Sequence, residues 1–216
     1  MLKHPRLTFD RVRQFLKDDL IARIVVHEAP MAAELDTGEG CVAGEPGHKW
    51  GPAYAEGRYR VRVKIPKDWA GWECGLCHGP ATGWGTTETP CEATVFQDGH
   101  ALGGLDFAHP YLRLVEKAAG GERFRLELQT YARNAETTVH GREMPRTLLP
   151  QEFLGFRLLA VDTEILALAY DVSFGISLVE ALGMEDPTGA PILRALIANL
   201  RARGFEVADT PSLPAI

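Results

Sequence analysis

Two cysteines and a histidine fall within five residues at Cys74-Gly75-Leu76-Cys77-His78. This is the C-x-x-C-H spacing of covalent c-type haem attachment. Haem attachment also requires an export route, a second axial ligand and a helical pocket around the porphyrin. The residues flanking this motif alternate as strands do. Zinc is the stronger metal reading: Cys74, Cys77 and His78, joined by Cys91 or Cys41, have the donors of a Cys₃His set. Strand geometry argues against it. In a strand, Cys74, Leu76 and His78 face one way and Cys77 the other, and positions i and i+3 lie roughly 10 Å apart. Two thiolates on one zinc each sit about 2.3 Å from the same ion. A turn could bring them together; a strand cannot. The expectation is therefore a strand over 72–78 with no haem and no metal. Cys74 becomes a small core hydrophobe with an inert thiol, and His78, at the strand end, hydrogen-bonds a loop group.

The elements that must position these residues follow from composition and period. The chain has 216 residues, 45% hydrophobic and 24% charged, with a net charge of −6. Such a chain buries a real core as one large domain or two small ones. No basic cluster in the sequence calls for nucleic acid, and the apolar runs read as too short to span a bilayer, so neither nucleic acid nor membrane is expected as a partner. The start, MLKHPRLTFDRVRQFL, has charges in every apolar stretch, unlike a secretory signal. A cytoplasmic location with reduced thiols is the expectation.

Three zones divide the chain. In residues 1–30, Phe9, Val12, Leu16 and Leu20 recur at helical steps, which predicts an amphipathic helix from about Thr8 to Val26. In residues 31–161 the apolar period drops to two. Tyr59–Ile65, Ala93–Phe96 and Phe124–Gln129 alternate, and Asp98-Gly99 supplies a hairpin turn. The glycine- and glutamate-rich segment 34–56 and the segment Gly79–Pro90 read as long loops. In residues 162–216 the helical period returns. Asp162 or Thr163 caps a helix closed by Gly183, Pro191 suits the first turn of another, Gly204 ends it, and the tail ADTPSLPAI has no period. The fold class expected is mostly β with α: an antiparallel β-sandwich, of jelly-roll or galactose-binding-like type, with an N-terminal helix and a C-terminal helical extension.

The run from Gly57 to Asn134 adds a resemblance. Pro66–Gly71 (PKDWAG), Cys91–Phe96, Asp98-Gly99, Gly103-Gly104-Leu105-Asp106 and Gly120-Gly121-Glu122 follow, in order and spacing, elements of the N-terminal domain of cytosolic-type class II α-mannosidases, glycoside hydrolase family 38. FRLLAVDTEILALAYDV resembles the segment leading into that family's catalytic domain. The chain departs from the pattern at His78-Gly79 and at the insertion that follows, before Cys91.

The resemblance implies metal-dependent retaining hydrolysis of α-mannosides, with a carboxylate nucleophile and a carboxylate acid/base. It also implies that these groups and the divalent metal lie in a domain C-terminal to this one. None of the seven histidines is followed two positions later by aspartate, so the family's His-x-Asp metal motif is absent. No catalytic residue and no cofactor is assigned to this chain. Its expected job is architectural, beside its own catalytic domain or a catalytic subunit. The apolar surface uncovered by the lack of that partner implies a homo-oligomer. The alternative is a free-standing carbohydrate-binding β-sandwich. Mannosides would then stack on exposed aromatic rings, with Trp50, Trp72 and Trp84 as the contact candidates and core or loop packing as the plainer role of each.

Overall fold

The computed structural model describes residues 5–50, 55–79, 91–106, 109–132, 151–183 and 186–205. The chain divides into two compact units, Val25–Val161 and a second formed by Met1–Ile24 with Asp162–Ile216.

The first unit is built of antiparallel strands. They are β1 (Val25–Met31), β2 (Ala33–Asp36), β3 (Cys41–Gly44), β4 (Lys49–Trp50), β5 (Glu56–Lys64), β6 (Glu73–His78), β7 (Cys91–Gln97), β8 (His100–Leu105), β9 (Tyr111–Val115), β10 (Arg123–Ala132), β11 (Gln151–Glu152) and β12 (Phe156–Val161). One sheet has the order β1-β12-β6-β9, the second β3-β2-β5-β10-β7-β8, and β11 pairs with β4. This is the mostly-β sandwich that the alternation predicts. Strand β5 shows why: its residues are exposed and buried in strict turn, with Tyr59, Val61 and Val63 inward and Arg58, Arg60, Arg62 and Lys64 outward. A period of two puts alternate side chains on opposite faces. The inward residues of β5, β10 and β7 meet Cys74, Leu76, Phe156, Leu158 and Ala160 of the other sheet in one core. The β7–β8 turn has positive φ at both Asp98 and Gly99 (50° and 77°), the two-residue geometry that an Asp-Gly pair favours.

Residues 34–56 are not one long loop. They hold the end of β2, all of β3 and β4, and the first residue of β5. Short strands of two to four residues carry too few alternations to show a period, and glycines between them read as loop. Strand β1 begins at Val25, inside the stretch expected to be helical and before residue 31, where the sandwich was expected to start. Val25 and Val26 fit a helical stripe and a strand equally well. The segment 80–90 and the tail 206–216 lie outside the described residues.

The second unit is helical. Helix α1 (Pro5–Phe15) runs through a π turn at Leu16–Leu20 into the short α2 (Ile21–Ile24), and α3 (Thr163–Leu182) is followed by α4 (Gly189–Ala202). Phe9, Val12 and Leu20 share one core with Leu168, Val172, Ile176 and Val179 of α3 and Leu193, Ile197 and Leu200 of α4. The two ends of the chain therefore form one cluster, a pairing that no local pattern can report. Asp162 caps α3: its Oδ1 accepts from the N–H groups of Glu164 at 3.0 Å and Ile165 at 3.1 Å. Gly183, at φ 92°, ends it. Gly175 lets α4 approach, since a Cβ there would stand 2.7 Å from the Leu196 side chain.

The opposite side of α3 exposes large apolar side chains among polar ones, Ser173, Ser177 and Glu180 included. Tyr170 is 54% exposed, Phe174 70% and Leu182 40%. By length and composition alone, α3, at 20 residues, is long and apolar enough to cross a membrane, with a mean hydropathy of 1.7 over an 18-residue stretch. That corrects the reading that every apolar run is too short: Glu164, Asp171 and Glu180 interrupt it residue by residue, yet the average over the helix stays apolar. Core helices of soluble proteins have the same composition.

Candidate functional site

Strand β6 carries the whole ECGLCH motif, and all six residues are buried. It lies between β12 and β9, so both of its edges are hydrogen-bonded. Parity places Cys74, Leu76 and His78 toward the sandwich core. Cys74 and Leu76 belong to the core cluster, and the His78 ring stands 5.8 Å from that of Phe153 and 5.3 Å from that of Phe156. Cys77 faces the other way, beside Arg157 in register. The alternation read from the sequence is thus the alternation of the structure, and the two thiols are on opposite faces of one strand.

The protonation states follow from burial. Desolvation pushes the Cys74 thiol up to about 11, with the Glu122 and Glu73 carboxylates adding to it. It pushes Cys77 up to about 12, with Glu28 adding and Arg157 opposing. Both are neutral thiols at any physiological pH, and the thiolate is the nucleophile and the metal ligand. Desolvation lowers His78 to about 4, so it is neutral as well. Each thiol makes only weak contacts to backbone carbonyls, Cys74 to Trp72 at 3.8 Å and Cys77 to His78 at 3.6 Å. Cys41 is exposed on β3, with the Arg60 guanidinium 3.3 Å from its sulfur. The motif is therefore part of the sandwich core. Among the described residues, no group of three or more His, Cys, Asp or Glu is placed to hold a metal ion.

The other face of β6 holds a polar group that sequence reasoning missed. Glu73 is 8% exposed and pairs with Arg113 of β9 at 3.6 Å. The Tyr111 ring lies over Gly75, where a Cβ would come within 2.5 Å of it and 2.4 Å of the Leu112 carbonyl oxygen. Burial, then the Glu73 carboxylate, holds the Tyr111 phenol well above its ordinary range. The signal for this cluster is a β6–β9 register across more than thirty residues of chain, which the sequence does not display.

Of the three tryptophan candidates, Trp72 alone has a described side chain. Trp50 ends β4 and its side chain lies outside the described residues, as does all of Trp84. Trp72 is half-buried and packs on the sandwich core. Trp69 of the PKDWAG element is buried and stacks on His27, ring centroids 5.5 Å apart.

Comparison with known proteins places this architecture. No curated protein matches the sequence. Among solved structures, the β-glucuronidase of Ruminococcus gnavus in complex with uronic deoxynojirimycin superposes with a TM-score of 0.39 at 10% identity, covering 62% of this chain and 28% of that one. Its complex with D-glucuronic acid gives 0.39 at 10% identity, with 62% and 29% covered. The chain thus spans less than a third of the length of those enzymes. A family model described as "Alpha-mannosidase, jelly roll domain" matches residues 19–151, more than half of the chain, and the protein belongs to that family.

Proposed function

We propose that this chain is the non-catalytic N-terminal portion of an α-mannosidase-like glycoside hydrolase, and that its helical unit docks on the catalytic part. The observation that supports this reading is an exposed aromatic pair on α3. Phe174 is 70% exposed and Tyr170, one turn earlier, 54%. Contiguous exposed apolar surface of this kind marks an interaction site, and helix residues four apart share one face. The metal, the nucleophile and the acid/base of the parent reaction then belong to the catalytic part, and this chain contributes architecture. The same face accounts for self-association when the chain is alone, and a cytoplasmic enzyme of mannoside breakdown is the setting proposed.

Two measurements test it. The isolated chain should not turn over an aryl α-mannoside above buffer, with or without Zn²⁺ or Co²⁺; turnover would overturn the reading. Sedimentation at rising concentration should show association that Phe174→Glu abolishes. A chain that stays monomeric at high concentration would count against a severed docking face.

A further inference from the structure

Strands β5 and β10 lie side by side at the middle of the six-stranded sheet, and their register sets like charges against each other. Arg62 is opposite Arg125, and Lys64 is opposite Arg123. All four side chains point away from the core and all are exposed. The next pair along is balanced instead: Arg60 faces Glu127 in register and pairs with Asp36 at 3.3 Å. Directly opposed like charges destabilise a sheet. Within the block of four, only Arg62 has an ion pair among the described residues, a long one of 3.8 Å to Glu34. A molecule of net charge −6 thus keeps a local excess of positive charge in a register that repels itself.

We propose that this block is a binding site for a phosphate monoester carried on a sugar. The size of the block limits the ligand. Two alternate residues along a strand span about 6.7 Å and adjacent strands are about 4.8 Å apart, an area for one compact anionic group. Acids bound it, with Glu34 beside Arg62 and Glu127 next to Arg125 on the same face of β10. An extended polyanion would run onto those carboxylates and over an acidic protein, which disfavours nucleic acid. Four cations suit a group carrying about −1.5 to −2 charges at pH 7 better than a single carboxylate. Guanidinium forks present paired donors that match phosphate oxygens. The sugar follows from the family, a domain of a carbohydrate-cleaving enzyme. The proposal is separable from the docking role of α3, because the sheet face and that helix belong to different units and are tested by different variants.

The test is amide NMR titration of the full chain with mannose 6-phosphate, inorganic phosphate and mannose. Mannose 6-phosphate should shift the amides of β5 and β10 with a Kd on the order of 1 mM at low salt, as expected of exposed ion pairs, and salt should weaken it. Mannose should not bind there. Arg125→Glu should weaken binding by about tenfold or more, while holding or raising the thermal midpoint, because it turns a like-charge cross-strand pair into an opposite one. Lys117→Glu, an exposed charge outside the block, should change neither. A merely structural role would not separate binding from stability in this way. Inorganic phosphate binding as tightly as the sugar phosphate would overturn the sugar assignment. Tighter binding of an acidic peptide or a single-stranded oligonucleotide to the same amides would overturn the ligand class. No shift at β5 or β10 with any phosphate would overturn the site.

Discussion

His78 should make the fold sensitive to mild acid. Its ring is 5% exposed and is flanked by Phe153 and Phe156, and desolvation lowers its pKa from 6.5 to about 4. The sign follows from proton binding. Between about 6.5 and about 4 the unfolded chain takes up a proton at this position and the folded chain does not. Stability therefore falls as pH drops through that window and is fully present above it. Each pKa unit is worth about 1.36 kcal/mol, so the loss attributable to His78 approaches about 3 kcal/mol at pH 4. That is a large share of the ~5–15 kcal/mol that holds a typical domain together. Urea unfolding at steps from pH 7.5 to 4 measures it directly. Carboxylates also titrate in that range, so the informative quantity is the difference between the wild type and His78→Phe. Any packing cost of the larger ring is independent of pH and drops out of the slope. The variant should lose most of the decline between pH 6.5 and 4.5. Parallel stability curves for the two proteins would refute the claim that His78 is held neutral by burial.

Three further outcomes follow from the same strand and its surroundings. Gly75→Ala should destabilise by about 1–3 kcal/mol in chemical denaturation, because its Cβ would meet the Leu112 carbonyl oxygen at 2.4 Å and backbone cannot step aside; a neutral substitution would mean that Tyr111 and β9 are not seated as described. At pH 8, a thiol reagent followed by peptide mapping should label Cys41 quickly, and Cys74 and Cys77 only as fast as the sandwich opens, since the first is exposed and the others are buried; equal rates would contradict the burial. Asp162→Ala should cost about 1 kcal/mol in thermal or urea unfolding, through the two amide hydrogens that its carboxylate accepts at the start of α3, whereas Asp162→Asn should recover most of that loss.

What the sequence displays is what repeats at short range. The strict alternation of β5, the Asp-Gly turn between β7 and β8, and the caps of α3 at Asp162 and Gly183 are each decided within a few residues, and each was readable. ECGLCH belongs with them. Knowing only that the surroundings alternate is enough to put Cys74 and Cys77 on opposite faces, and the structure has them there. What the sequence hides is partnership across distance. Strand β3 is four residues long and β4 two, too short to state a period, so both were read as loop. The N-terminal helix shows which side is apolar but not that the side is covered by α3 and α4, more than 140 residues away.

The basic block makes the same point at the level of function. Arg58, Arg60, Arg62 and Lys64 stand in plain view as an alternating series, and so do Arg123, Arg125 and Glu127. Read one strand at a time, each is an ordinary solvated face with acids nearby. Only the register, Lys64 against Arg123 through Arg60 against Glu127, separates the part of the sheet where charges cancel from the part where they add. A slip of two residues would keep every side chain on its present face and every hydrophobic contact type. In one direction it would set Arg62 against Glu127 and Lys64 against Arg125, in the other Arg62 against Arg123 and Arg60 against Arg125, and so relocate the excess charge. The ligand-binding potential of this face is therefore a property of strand pairing, not of composition, and a protein with a net charge of −6 can still present a site for an anion.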